Sequence, residues 1–158
     1  MTVSQNVVIS VAPDVVFASI SDPIQTGRWS PENLGATVDG TLTVGSTFVG
    51  RNRRGRMRWV TRCQVTAYEP DRRFAFDVEA IGVRRPLIKA PIASWSYDLT
   101  PVDGGTRVIE TWVDRRTWRD RVATVFDKLA TKSTFAEFNA RNIQRTLDQL
   151  KRTLESHA

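Results

Sequence analysis

Apolar and polar residues alternate at the start of the chain, and Val3, Val7, Ile9 and Val11 predict a strand. Pro13 and Asp14 open a short helix carrying Val16, Phe17 and Ile20, because proline suits a first helical turn and an acid there complements the helix dipole. Ser21-Asp22-Pro23 ends it. A second short helical or irregular piece holds Trp29 and stops near Pro31, and from there to about Arg116 the pattern is strand-rich. The last third is helical. A segment from about Trp118 to Leu129 places Val122, Val125, Phe126 and Leu129 at helical spacing. Ser133 or Thr134 with Glu137 then caps a longer helix running to about Glu155.

Turn residues register three hairpins. A two-residue turn at Arg54-Gly55 sets Gly50 opposite Trp59 and Phe48 opposite Thr61. A turn at Glu69-Pro70-Asp71-Arg72 pairs Ala67 with Phe74, Val65 with Phe76 and Cys63 with Val78. Asp103-Gly104-Gly105, taken as a three-residue loop, pairs Leu99 with Ile109, Tyr97 with Thr111 and Trp95 with Val113; a two-residue turn shifts that pairing by one. With these registers one face collects Phe48, Gly50, Met57, Trp59, Thr61, Cys63, Val65, Phe74, Phe76, Val78, Trp95, Tyr97, Leu99, Ile109, Thr111 and Val113. The other collects Arg58, Arg62, Asp77, Glu79, Asp98, Glu110 and Asp114, as expected of an antiparallel sheet with one wet face.

The stripe of the long helix changes along its length: Ile143, Leu147, Leu150 and Leu154 fill the C-terminal part, while Ala136 and Ala140, flanked by Asn139, fill the N-terminal part. Laid across a concave sheet, the leucine end packs tightly and the alanine end stands over space. The expected result is a cavity lined by sheet aromatics and Trp29 and roofed by small residues.

Val11-Ala12-Pro13-Asp14-Val15-Val16-Phe17, Asp22-Pro23, Trp29-Ser30-Pro31, Trp95 to Pro101, Asp103 to Val108 and the late Thr146-Leu147 to Leu150-Lys151, in that order, resemble the polyketide cyclase/dehydrase branch of the START-related, birch-pollen-allergen-like superfamily. The resemblance spans nearly the whole chain and implies an α+β helix-grip fold, a curved antiparallel sheet of about seven strands wrapped around a long C-terminal helix with an apolar cavity between them. It also implies binding or transport of lipids, polyketides or similar molecules, or cyclisation and dehydration of polyketides. It carries no fixed catalytic residue onto this chain.

Composition narrows the chemistry. The 158 residues suit one domain over 1–158, with no apolar run long enough to span a membrane and no signal-peptide pattern at Met1–Ser10, so a cytoplasmic protein is expected. One histidine (His157) and one cysteine (Cys63) exclude an internal disulfide and the usual zinc ligand sets, and His157 near the end of the chain is ill placed for a triad; no metal or cofactor is expected. On the predicted inner face the only tyrosine is Tyr97, a core aromatic or a weak candidate for proton transfer. Cys63 reads as a small buried hydrophobe. Tyr97, Thr111, Asn139 and Arg107 are the polar groups available to orient a ligand, and Arg107, Leu87 and Ile88 mark a rim. The leading expectation is a carrier of a hydrophobic small molecule; the alternatives are a polyketide cyclase or dehydratase and an adaptor for an anionic membrane or protein partner.

The net charge of +6 comes with 19 arginines among 23 basic residues, and Arg51, Arg53, Arg54, Arg56, Arg58 and Arg62 crowd one hairpin. They form either a solvated face or a peripheral contact with an anionic membrane. Inward-pointing aromatics argue against nucleic acid, since base stacking needs them outward. Trp112, Val108, Val60 and Tyr68, placed on the outer face, suggest a homodimer patch as the alternative to a monomer.

Overall fold

The computed structural model describes residues 1–117 and 135–158. Seven strands, β1 (Thr2–Ile9), β2 (Asn33–Val38), β3 (Thr47–Arg54), β4 (Met57–Glu69), β5 (Arg73–Gly82), β6 (Ile88–Val102) and β7 (Gly105–Asp114), form one antiparallel sheet in the order β1-β7-β6-β5-β4-β3-β2. Helix α1 (Pro13–Ile20) and a 3-10 turn (Thr26–Arg28) link β1 to β2, and the long helix α2 (Phe135–Glu155) follows the sheet. This is the helix-grip α+β arrangement. The helix expected over about Trp118–Leu129 and the cap at Ser133 or Thr134 lie outside the described residues.

Local chemistry explains the short elements. Pro13 stands in the first turn of α1 and Asp14 beside it, and Val16, Phe17 and Ile20 are all buried. The Ser21 amide and hydroxyl both donate to the Phe17 carbonyl, the hydroxyl at 2.6 Å, closing the helix. Asp22 Oδ1 accepts from the Ile24 amide at 3.1 Å and turns the chain away.

Helix α2 crosses the concave face and is tied at both ends. Near its C-terminus Lys151 donates to the Val8 carbonyl at 2.8 Å, and Glu155 accepts from the Ser10 amide at 2.8 Å. Towards its start, Phe138 lies against the guanidinium of Arg54 at the tip of the β3–β4 hairpin. Ile143, Leu147 and Leu150 are fully buried, whereas Ala136 and Ala140 are only half-buried. Each buried leucine contributes up to ~2 kcal/mol by area, so the leucine half holds the helix down more firmly than the alanine half.

Three registers differ from the turn-based reading, with different consequences. In β3–β4 the turn is Gly55-Arg56, because Gly55, at φ 59°, takes the first central position, where a two-residue hairpin needs a positive angle. Gly50 therefore opposes Thr61, and Phe48 opposes Cys63. A slip of two residues leaves every side chain on its predicted face. In β4–β5 the pairs Val65–Phe76 and Cys63–Val78 stand as expected. An irregularity between Val65 and Ala67 sets Tyr68, rather than Ala67, opposite Phe74.

The β6–β7 turn is the two-residue Asp103-Gly104, with Gly104 at φ 76°. Leu99 faces Val108, Tyr97 faces Glu110 and Trp95 faces Trp112. This one-residue difference reverses β7. Val108, Glu110, Trp112 and Asp114 take the inner face, while Arg107, Ile109, Thr111 and Val113 take the outer one. Asp77 and Asp98 remain outside as expected, bonded to Ser94 and Arg73 respectively.

Candidate functional site: the inner face of the sheet

The inner face is built from alternate residues of β3 to β7. Phe48, Phe74 and Tyr97 are buried, and Phe76 and Trp95 are partly buried against them. The rings meet edge-on or tilted: Phe48 and Phe76 have centroids 5.3 Å apart, and Phe74 and Phe76 5.8 Å. Tyr68 joins this cluster through Phe74 at 6.1 Å and Phe17 at 5.3 Å. It also lines a concavity of about 540 Å³ between α1 and the β2–β3 connection, with Ser21, Asp22, Val38 and Leu42.

Towards the β2 edge the same face turns polar. Asn33 Nδ2 donates to Asn52 Oδ1 at 3.3 Å, and Asn52 Nδ2 donates to Thr61 Oγ1 at 3.3 Å. Gly50 leaves room within this ladder, since a Cβ there would stand 3.2 Å from Thr61 Oγ1. Beyond it Arg54 bonds Glu32 Oε1 through Nε at 2.6 Å, stacks 3.8 Å from the centroid of Phe138, and lies 5.6 Å from that of Trp59. Arg54 thus joins the sheet edge, the hairpin and the start of α2 at one corner of the concave face.

At the β1 side stands a buried carboxyl. The Tyr97 hydroxyl donates to Glu110 Oε1 at 2.9 Å, and Glu110 is 2% exposed, with no partner for Oε2 among the described residues. Burial pushes the Glu110 carboxyl up to about 8 against the opposing pull of the tyrosine hydrogen bond. Burial, then the neighbouring carboxyl, raises Tyr97 well above its ordinary value. Both groups are therefore neutral at pH 7. Asp114, four residues along on the same face, behaves differently: burial raises it, but the hydrogen bonds and charge of Arg116 prevail and hold it below its ordinary value. Cys63 is pushed up to about 12, mainly by burial, so its thiol is inert.

A family model described as "Polyketide cyclase / dehydrase and lipid transport" matches residues 1–155. The chain belongs to this family. A comparison with curated proteins returns no match. Among solved structures the chain is similar to the Polyketide_cyc-like protein Cgl2372 from Corynebacterium glutamicum, at 28% identity and TM-score 0.59, covering 99% of this chain and 92% of that one. It is similar in fold to the di-domain aromatase/cyclase StfQ of the steffimycin biosynthetic pathway, at 11% identity and TM-score 0.70, covering 98% of this chain and 45% of that one. It shares the fold of Ara h 8.0201 as well, at 13% identity and TM-score 0.61, covering 99% and 98%.

Within this family member, Phe48, Trp59, Thr61, Phe74, Phe76, Trp95 and Tyr97 share the inner face, as the alternation predicts, and Trp29 is buried in the same core. Asn139 is buried on α2 between the half-buried Ala136 and Ala140. Leu87 and Ile88 are strongly exposed at the start of β6. Arg107, Ile109 and Thr111 do not join them. The reversed β7 turns all three outward, where Thr111 bonds Ser4 at 2.8 Å and Arg107 is exposed. The outer patch of Trp112, Val108, Val60 and Tyr68 is likewise not formed, because Trp112 and Val108 are buried inside and Tyr68 packs on Phe17 and Phe74.

The turn-based reading placed Glu110 and Asp114 among the wet-face acids and left the inner face almost free of titratable groups. The two-residue alternative at Asp103-Gly104 carried the signal for both, since it alone sets Glu110 beside Tyr97. The Asn33–Asn52–Thr61 ladder was legible in part: Asn52 lies two residues from Gly50 and so shares its face. Among the described residues no group of three or more histidine, cysteine or acidic side chains is placed to hold a metal, and no helix is long and apolar enough to cross a membrane.

Proposed function

We propose that this protein binds a hydrophobic small molecule, of the lipid or polyketide kind, between the inner sheet face and the alanine half of α2. The observation that carries this reading is the half-buried state of Trp59, Phe76 and Trp95 beside buried Phe48, Phe74 and Tyr97. Aromatic surface left partly uncovered gains most from an apolar guest, at roughly 25 cal/mol per Å² covered. The description of the family, which includes lipid transport, supports it. Titration with fatty acids, flavonoids and polycyclic polyketides, followed by tryptophan fluorescence, tests it. Saturable quenching by at least one class is expected, and no response from any class overturns it.

A second reading, cyclisation or dehydration of a linear poly-ketone, is favoured by the contact between Tyr97 and Glu110. Such chemistry needs a group that exchanges a proton near neutral pH, and a carboxyl raised to about 8 meets that need. Incubation with a linear poly-ketone tests it: turnover that Tyr97→Phe slows by ~100-fold supports the reading, and no turnover by the unaltered protein rejects it.

A further inference from the structure

Glu110 is the one inner-face carboxyl that a described partner leaves half satisfied. Its Oε1 is occupied by the Tyr97 hydroxyl, its Oε2 has no partner among the described residues, and it is 2% exposed between Val108 and Trp112 of its own strand. Across the β1 pairing its opposite number is Gln5, an uncharged side chain, and across β6 it is Tyr97. The nearest charge pair along the strand, Asp114 with Arg116, is already matched internally. A carboxylate without a cation in such a place is far costlier than a neutral acid. The neutral acid carries one O–H. Since Oε1 already accepts from tyrosine, the hydrogen belongs on Oε2, the oxygen without a partner.

An unmet buried donor is an expense to the free protein that a matching acceptor removes. We propose that the Tyr97–Glu110 pair is the polar recognition point of the binding site, with Glu110 Oε2 donating to a ketone or enol oxygen on an otherwise apolar, polycyclic ligand. Tyr97 fixes the carboxyl through Oε1, so the free oxygen is held in one orientation rather than turning. The site then discriminates a ring ketone from the corresponding hydrocarbon, which aromatic contact alone does not do. The inference rests on the proposed binding of an apolar molecule and adds the functional group that molecule must carry.

The probes are 9-fluorenone and fluorene, the same three-ring skeleton with and without a carbonyl, with 9-aminofluorene as the cationic control. Binding is read by tryptophan fluorescence. The unaltered protein is expected to prefer fluorenone over fluorene by about tenfold, the value of one buried hydrogen bond to an otherwise unsatisfied group. Glu110→Leu should erase the preference and keep fluorene binding, while Glu110→Gln, which retains N–H donors, should keep part of it. The bound ketone's carbonyl stretch in the infrared should fall relative to an apolar solvent in the unaltered protein, a measurement that needs no variant. Equal affinity for the two skeletons, an unshifted carbonyl stretch, or tighter binding of the amine overturns the inference while leaving apolar binding intact. Failure of both neutral skeletons to bind while fatty acids or flavonoids still quench also overturns the inference, whereas silence from every class rejects the proposed function itself.

Discussion

The Tyr97 hydroxyl donates to Glu110 across the β6–β7 hairpin, 2.9 Å from a carboxyl that burial raises to about 8. Folding therefore retains a proton that the unfolded chain loses near pH 4.5. Between those two values the folded state binds more protons than the unfolded one, so stability falls as pH rises. The contribution is complete below about pH 4.5 and gone above about pH 8, with a slope of up to ~1.4 kcal/mol per pH unit from this group. Urea unfolding at pH 5, 6, 7 and 8 reads it directly. Glu110→Gln has no proton to lose, and its stability relative to the unaltered protein should climb steadily across that range. Parallel curves for the two proteins rule out a neutral Glu110.

Arg54 holds the corner where β2, the β3–β4 hairpin and α2 meet. Its ion pair with Glu32 is four-fifths buried on both sides, and its guanidinium covers the Phe138 ring at 3.8 Å. Arg54→Ala should cost ~1–2 kcal/mol in chemical denaturation and quicken amide exchange in the first turns of α2, leaving the Leu147–Leu154 end protected. Arg54→Lys should recover little, because an ammonium supplies neither the planar stack nor the same fork of donors. Exchange unchanged at the start of α2 dismisses Arg54 as a tie between helix and sheet.

Gly104 and Gly105 are adjacent and differ in what they require. Gly104, at φ 76° with open space around it, needs only the left-handed backbone angle, and Gly104→Asn should cost under ~1 kcal/mol. At Gly105 a Cβ would lie 2.1 Å from the Ile9 carbonyl oxygen, so Gly105→Ala must push β1 from β7 and should cost ~1–3 kcal/mol or more. Thermal melts of the two variants separate these cases. Equal losses argue against the close approach of Gly105 to the end of β1.

The elements were legible wherever one signal decided them. Pro13 with Asp14 opened α1, and the spacing of Ile143, Leu147, Leu150 and Leu154 gave the buried stripe of α2. The β3–β4 slip was harmless because side chains alternate with period two, so a two-residue error keeps each face. The β6–β7 turn was different. Asp103-Gly104-Gly105 offers a glycine to either loop length, and β7 has apolar residues in both phases, with Val108 and Trp112 on one and Ile109 and Val113 on the other. Reading the turn as a three-residue loop keeps Glu110 outside with the other charges, in accord with the rule that charges prefer water. The folded chain buries it instead, because Tyr97 supplies a donor and Val108 and Trp112 fill the core beside it. The residue most relevant to the site thus lay where the general rule fails, at a buried carboxyl that tyrosine satisfies on one oxygen only.

The alanine half of α2 gives the sharpest test of where a ligand sits. Ala140 is half-buried, one turn before fully buried Ile143 and beside buried Asn139. Ala140→Phe adds a ring at a half-buried position, whereas the same change at Ile143 would strain a filled core. A ligand held between the inner face and α2 competes with that ring for one volume. Ala140→Phe should therefore abolish saturable binding of the apolar probes while the protein still melts cooperatively, since the added ring occupies the volume the ligand needs. Fluorescence titration and a thermal melt on the same sample supply both readings. Unchanged affinity moves the binding site away from α2, and the concavity lined by Phe17, Val38, Leu42 and Tyr68 becomes the next place to block.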